Sequence, residues 1–593
     1  MMPLRALCLS MILCTAAAAW GGNDSRPTRW SAEALKGWAA LPIQDAGRIK
    51  PLDTYASFKL LKFNGRRSCT TPDGSRLTAV AWLLDTLFYP EQANGYAIFS
   101  VDSDETIIAM GLAPHARKRD RYSYNELRKG EEKLFALANV YARNPAKDRT
   151  VNQEQIIHLA ENVGEYETLS AYLDHARKPI ALESCDVFTR LFPNRTQATP
   201  ADILRKAPQL HNEYIASKKS GIASDDPNGK AILSLFRALD EVRQTATALA
   251  SIPPVLHEET KWLTPADIVL RVFETGDVDM QEVELFAGLD ELAQTTGAPA
   301  RFDEKAAAWR TSVIRLAASR GEYDHVPMEV VFYRVDLLGK ALSLYVFAFL
   351  LVAVSWTAPR NRPLYVATWI AVAAPTLLLS IAIAMRCIIR HRPPATTLYE
   401  TILFTTAVIA AVSLIAEWMN RQRIALTVGA ALAAVGMFIA IKYEAREGSD
   451  TMPSMVAVLD TNFWLATHIT TITMGYAAAL LSGAIAHVYV ASHLLRRPAG
   501  GEAFRASVAR MVYGIFCFGF LFTFIGTLLG GVWANESWGR FWGWDPKENG
   551  ALLIVLWQLA SLHAKRGGYI RDAGFCMASI ACGMIVAFSW WGV

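Results

Sequence analysis

The second half of the chain leaves few folds open. Between residues 334 and 593 it carries eight apolar runs, at about 335–356, 364–385, 396–418, 424–441, 463–494, 511–532, 549–566 and 572–593. A helix needs about 20 apolar residues to cross about 30 Å of hydrocarbon. In that medium a backbone has to satisfy its own hydrogen bonds, which a helix does within one segment. The expectation is a mainly α protein, with a polytopic helical membrane domain of about eight spans. Only 19% of residues are charged, against about 25% in soluble proteins.

Charge gives the orientation. With residue 334 outside, the inner loops are 359–363, 420–423, 496–510 and 564–571, and each carries at least two Arg or Lys residues, as cytoplasmic loops do. The outer loops are then 386–395, 442–462 and 533–548. The first is an exception, because Arg386, Arg390 and Arg392 place three arginines outside. Such a loop needs acidic partners, either protein carboxylates or those of a ligand. The net charge of +4 is small for 593 residues and gives no reason to expect a nucleic-acid partner.

Residues 1–19 read as a signal peptide, with Arg5 followed by an apolar core (Ala6 to Thr15) and the small residues Ala16 to Ala19, a stretch too short to span. Residues 20–333 hold no spanning run and are expected to be a mostly helical, exported (periplasmic) domain. Helical spacing marks Asn125 to Tyr141 and Lys230 to Ala250, and Thr264-Pro265 reads as an N-cap followed by proline at the first helical position. Cys69 and Cys185 are the cysteines of this domain, in a compartment that permits pairing. None of the eight cysteines falls in a CxxC pair or a zinc spacing. The segment Gln44 to Ala56 gathers Asp45, Arg48, Lys50 and Asp53 around Gly47 and Pro51, and reads as a turn entering a helix. The histidines of this region, His325 included, share no metal-ligand spacing.

The candidate site is the last outer loop. Trp533, Trp538, Trp542 and Trp544 fall within twelve residues, interleaved with Phe541, Gly539 and Gly543. An interfacial belt accounts for one or two rings per helix end, so this density suits a platform for a large flat ligand. Asp545-Pro546-Lys547-Glu548 has the pattern of a capped helix start. His468 lies about one turn into the fifth span, His563 lies near the inner end of the seventh and His391 lies in the basic outer loop. Ionisable groups in spans are usually functional, and imidazole is a common haem-iron ligand.

These residues carry a resemblance. The stretch GTLLGGVWANESWGRFWGWDPKE is similar to the tryptophan-rich "WWD" signature of haem-handling membrane proteins, in particular the CcsA/ResC component of system II cytochrome c biogenesis. PATTLYE (394–400) and the histidines of LATHITTITMGY and SLHAKR support it. The GRIKPLDT-like segment resembles exported regions of fused CcsB–CcsA proteins. The resemblance implies an inner-membrane protein that transports or presents haem b and takes part in its covalent attachment to CxxCH apocytochromes c, as part of a haem lyase. It implies a CcsB/ResB-like membrane subunit, an apocytochrome c, a thiol-reducing pathway and membrane lipid as partners. Trp533, Trp538, Trp542, Trp544 and Asp545 would form the platform, with His468 as iron ligand and His563 as a weaker one on the haem path. Arg386, His391 and Arg392 are haem-binding candidates from the basic loop. The family has a second external histidine beyond its last span, expected here after Val593 or from a partner. The alternatives are a haem chaperone without lyase activity and an unrelated small-molecule permease whose aromatic loop is a gate.

Overall fold

A computed structural model of the chain describes residues 26–115, 120–219, 227–275, 279–455, 463–494 and 501–591. The expected signal peptide lies outside these residues. The chain divides into two compact units: Met1–Trp38 with Ser68–Val313, and Ala39–Arg67 with Ile314–Val593. The sequence reading drew its boundary at 333/334, whereas here the GRIKPLDT-like segment belongs to the unit that holds the spans.

The first unit is mostly helical. Thr264 caps the helix Pro265–Thr275, its hydroxyl accepting from Asp267 N at 3.1 Å. The expected helix over 125–141 is instead two, Tyr124–Leu127 and Glu131–Tyr141. They meet at Gly130, where an added Cβ would lie 2.8 Å from Met110 O. The helix expected over 230–250 runs Pro227–Thr245. Cys69 and Cys185 are both buried and free. Asp85 is fully buried and accepts from Arg26, Trp30 Nε1 and Tyr96 Oη at 2.7–2.9 Å.

The second unit begins with a hairpin, β1 (Pro42–Asp45) paired antiparallel with β2 (Arg48–Pro51). Its two-residue turn has Ala46 at φ 51° and Gly47 at φ 76°, the left-handed pair that matches strand twist in tight hairpins. Helix α1 (Leu52–Asn64) follows directly, with Asp53 in its first turn. Then come α2 (Val326–Val335), α3 (Leu337–Ser355), α4 (Arg362–Arg390), α5 (Leu398–Asn420), α6 (Ile424–Glu447), α7 (Phe463–Leu494), α8 (Gly501–Trp538), α9 (Pro546–Arg566) and α10 (Asp572–Trp591).

Seven of the eight expected spans correspond to helices long and apolar enough to cross a membrane among the described residues. The first is longer than expected: α2 and α3 together cover Val326–Ser355. They are joined at Asp336 (φ 50°), whose carboxylate accepts from Gly339 N at 3.1 Å. The run at 549–566 is helical as expected but more polar than the others. It forms α9, which is not among the seven, because Lys547, Glu548, Asn549, Gln558 and His563 dilute its apolar character. The spans leave large apolar side chains uncovered, such as Ile370 and Leu377 at 59% and 62% exposure, as expected of faces that meet lipid.

The α7–α8 seam is built on small residues. An added Cβ at Gly526 would lie 2.7 Å from Ile472 Cα, and one at Gly475 would run into Thr523. Small residues let two membrane helices approach this closely. His468 sits on this seam.

Candidate functional site

α8 does not stop where its apolar run does. It continues to Trp538, so Trp533 and Trp538 are helical and not part of a loop, and the non-helical link is only 539–545. Gly539 ends the helix at φ 69°, its N–H donating to Asn535 O at 3.0 Å. Left-handed glycine closure is a common helix stop. At the other side of the link Asp545 caps α9. Its carboxylate accepts from Glu548 N at 2.8 Å, and Glu548 in turn accepts from Asp545 N at 3.3 Å and Gly543 N at 2.7 Å. The capping reading of Asp545 and Glu548 therefore holds.

The rings divide into two pairs. Trp538 and Trp544 are 56% and 69% exposed. Trp533 and Trp542 are half-buried, and the indole N–H of each is buried without a hydrogen-bond partner. Buried indole donors normally find an acceptor. Trp544 stands edge-on to Trp542, with ring centroids 6.1 Å apart. It holds φ 58°, a conformation that is uncommon for a bulky residue and that concentrates at functional sites. The Phe541 ring packs on Gly531, where a Cβ would collide with it.

His468 faces this group from α7. Its ring is parallel to Trp533, with a 3° interplanar angle and 6.4 Å between centroids. An added Cβ at Gly530 would lie 2.7 Å from its Cε1. His468 Nδ1 lies 2.7 Å from Gly526 O. A carbonyl can only accept, so Nδ1 carries the proton. In the neutral ring Nε2 then keeps its lone pair, which is the state that binds metals. The backbone carbonyl fixes ring and tautomer in the way outer partners orient metal-binding histidines.

His563 is elsewhere. It is exposed near the C-terminal end of α9, with Nδ1 2.9 Å from Leu559 O. From Pro546 it is 17 residues along the helix, about 26 Å at 1.5 Å per residue. The structure therefore does not bring it together with His468 and the tryptophans.

The basic loop is mostly helix: Arg386 and Arg390 lie in the last turns of α4, and His391 closes it at φ 50°. Arg386 is buried and donates to Glu400 Oε1 at 2.9 Å, Thr451 O at 2.7 Å and Thr451 Oγ1 at 3.1 Å. Its acidic partner is thus a protein carboxylate. Arg390 and Arg392 each donate to Pro453 O, at 2.9 and 3.0 Å. His391 Nε2 lies 2.7 Å from Nε2 of His325, a pairing that sequence spacing did not show.

Sequence reasoning also missed the partners of the hairpin. Arg48 donates to both oxygens of Glu329 at 2.7 Å, and its Nη2 and Nε reach Asp450 at 2.7 and 3.0 Å. Lys50 pairs with Asp45 at 2.7 Å and Asp450 at 2.9 Å. Burial pushes the Asp450 carboxyl up, but Arg48 and Lys50 outweigh it and hold the group well below the usual carboxylate range. Ser454 donates to Ala46 O at 2.8 Å and adds a tie to the turn. Glu329 and Asp450 are 281 and 402 residues from Arg48, so nothing local announces the network.

These features define a multi-pass α-helical membrane protein with an aromatic, histidine-bearing surface at one end of its bundle. The family described as cytochrome C assembly protein matches residues 395–593. The cytochrome c biogenesis protein CcsA of Picosynechococcus sp. is 29% identical over 252 residues, covering 31% of this chain and 73% of that protein. CcsA of Prochlorococcus marinus is 27% identical over 272 residues, 40% and 84% of the two chains. Protein NrfI of Wolinella succinogenes is 27% identical over 201 residues, 33% and 21%. The C-terminal part of the chain is a CcsA-type cytochrome c assembly region, joined to an additional N-terminal region, and its role lies in cytochrome c biogenesis.

Proposed function

We propose that this protein receives haem b, holds it against Trp533, Trp538, Trp542 and Trp544 with His468 Nε2 on the iron, and presents it for attachment to CxxCH apocytochromes c. The observation that carries the reading is the pairing of a tautomer-fixed histidine with a parallel Trp533 ring and two buried, unpartnered indole donors. Exposed aromatic faces suit a flat apolar ligand, and the unpaired N–H groups suit an acceptor on its rim. Each thioether bond adds a cysteine S–H across a haem vinyl C=C, with no leaving group. That chemistry belongs to the haem and the thiols, and the protein binds and orients them. The thiols must arrive reduced, which calls for a separate thiol-reducing pathway. A CcsB/ResB-like subunit completes the machinery. Asp545 serves through its cap, fixing where Trp544 stands, and His563 binds haem at the opposite end of its path. The basic loops at 359–363, 420–423 and 564–571 support an orientation with the tryptophan end on the periplasmic face of the inner membrane.

An alkaline pyridine haemochrome assay on purified protein tests haem binding, and its absence sinks the reading. Substituting His468→Ala is expected to remove the haem held at the tryptophans and shift the Soret band. Co-expression with a CxxCH reporter and the CcsB-like subunit separates attachment from simple presentation. Covalent haem on the reporter is the expected result.

A further inference from the structure

His325 and His391 meet at the tryptophan end of the membrane unit although 66 residues separate them. His325 precedes the first turn of α2 and His391 follows the last turn of α4. Their Nε2 atoms are 2.7 Å apart and the rings are edge-to-face, at 69° with centroids 4.5 Å apart. A hydrogen bond of this kind needs the N–H of one ring to point along the lone pair of the other. The centroid separation shows that the pair is bent, and a modest swing of either ring brings the two facing nitrogens into line as ligands on opposite sides of a metal. A metal–imidazole bond is about 2 Å, so an iron between them requires a separation of about 4 Å, an opening of about 1.3 Å.

The number of donors narrows the ligand. Among the described residues no group of three or more His, Cys, Asp or Glu is placed to hold a metal ion. A bare divalent ion would find only two protein ligands here. Haem iron needs no more than two, because the porphyrin supplies the other four. The surroundings agree. A cavity of about 440 Å³ opens beside His391, lined by Ile388, Pro393, Phe463, Leu465, Ala466 and Arg392. That volume lies within the range of about 300–1,000 Å³ typical of cofactor sites. Its walls are mainly apolar, and Arg392 supplies a cation for a carboxylate. Leu465 stands three residues before His468 on α7, on the same helical face, so the cavity adjoins the turn that carries the candidate iron ligand.

We propose that His325 and His391 form a second seat for haem, gripping the iron through their two Nε2 atoms with the porphyrin in the cavity beside His391. This rests on the haem-handling reading above and adds a position to it: haem pauses at the histidine pair next to the tryptophan surface. The two seats share α7, so transfer from one to the other needs only a short movement.

The test is a haemin titration of the purified full-length protein in detergent, read by absorbance for stoichiometry and for the low-spin spectrum of bis-imidazole iron. The variants are His325→Ala, His391→Asn and His468→Ala. Asparagine is chosen at 391 because it tolerates the left-handed backbone there. Beyond haem held at His563, which none of these variants touches, the wild type is expected to take up two equivalents. Each of His325→Ala and His391→Asn is expected to lose one equivalent together with its low-spin spectrum, and added imidazole is expected to restore that spectrum. His468→Ala is expected to lose the other equivalent and keep the low-spin one. Unchanged stoichiometry and spectrum in both pair variants would overturn the second seat while leaving His468 in place. No effect of His468→Ala, with loss in the pair variants, would overturn the tryptophan seat instead.

Discussion

Two regions of the membrane unit treat their buried polar groups in opposite ways. Around Asp450 the charges are closed on one another: Arg48 and Lys50 spend their donors on Glu329, Asp45 and Asp450. Around His468 the polar groups are left open, with the Trp533 and Trp542 N–H groups buried and unpartnered, two tryptophans exposed and Trp544 at positive φ. A satisfied network fixes a fold, and an unsatisfied one costs stability unless something else completes it. The contrast fits a structural task for the hairpin and the proposed binding task for the tryptophan surface.

The largest expected effect is at the closed network. Arg48→Ala leaves Glu329 and Asp450 as buried carboxylates without their guanidinium, which costs about 3–5 kcal/mol. Thermal unfolding in detergent should show it as a marked drop in melting temperature. An unchanged melt would remove the structural assignment. Acid should loosen the same network more gently. Because the folded-state pKa of Asp450 is depressed, its contribution is fully present above its unfolded value of about 4 and is lost as the pH falls further. Protease resistance of the hairpin should thus be level from pH 8 to about pH 5 and fall below about pH 4.

The open region should respond in binding and not in stability. Trp533→Phe keeps a ring but removes the unpartnered N–H, so haem affinity is expected to fall about tenfold, or about 1.4 kcal/mol, with the melting temperature held. A fall in the melt without a change in affinity would make Trp533 a packing residue. Asp545→Ala should be the mildest. Losing a helix cap costs about 1 kcal/mol, measurable as a small melting shift with the iron spectrum unaltered.

The sequence carried the local features well. Apolar runs marked the spans, since a helix in lipid needs nothing from its neighbours to satisfy its backbone. The Asp545–Glu548 spacing announced its capping box, and Thr264-Pro265 its helix start. It was silent where the partner lies far along the chain. Arg48 finds Asp450 across 402 residues and His391 finds His325 across 66, and no periodicity encodes such pairs. It misplaced Trp533 and Trp538 in a loop because tryptophan density reads as interfacial, whereas α8 continues until Gly539 can turn left-handed. The eighth run is the least apolar: α9 is a full helix, but its polar residues keep it below the apolar character of the other seven.

The most direct test compares His468→Ala with Arg48→Ala in one experiment, scoring haem per folded protein and melting temperature together. The account predicts that His468→Ala lowers haem content and shifts the Soret band at an unchanged melt, while Arg48→Ala lowers the melt and keeps haem per folded molecule. Equal haem loss in both, or none in His468→Ala, would contradict it.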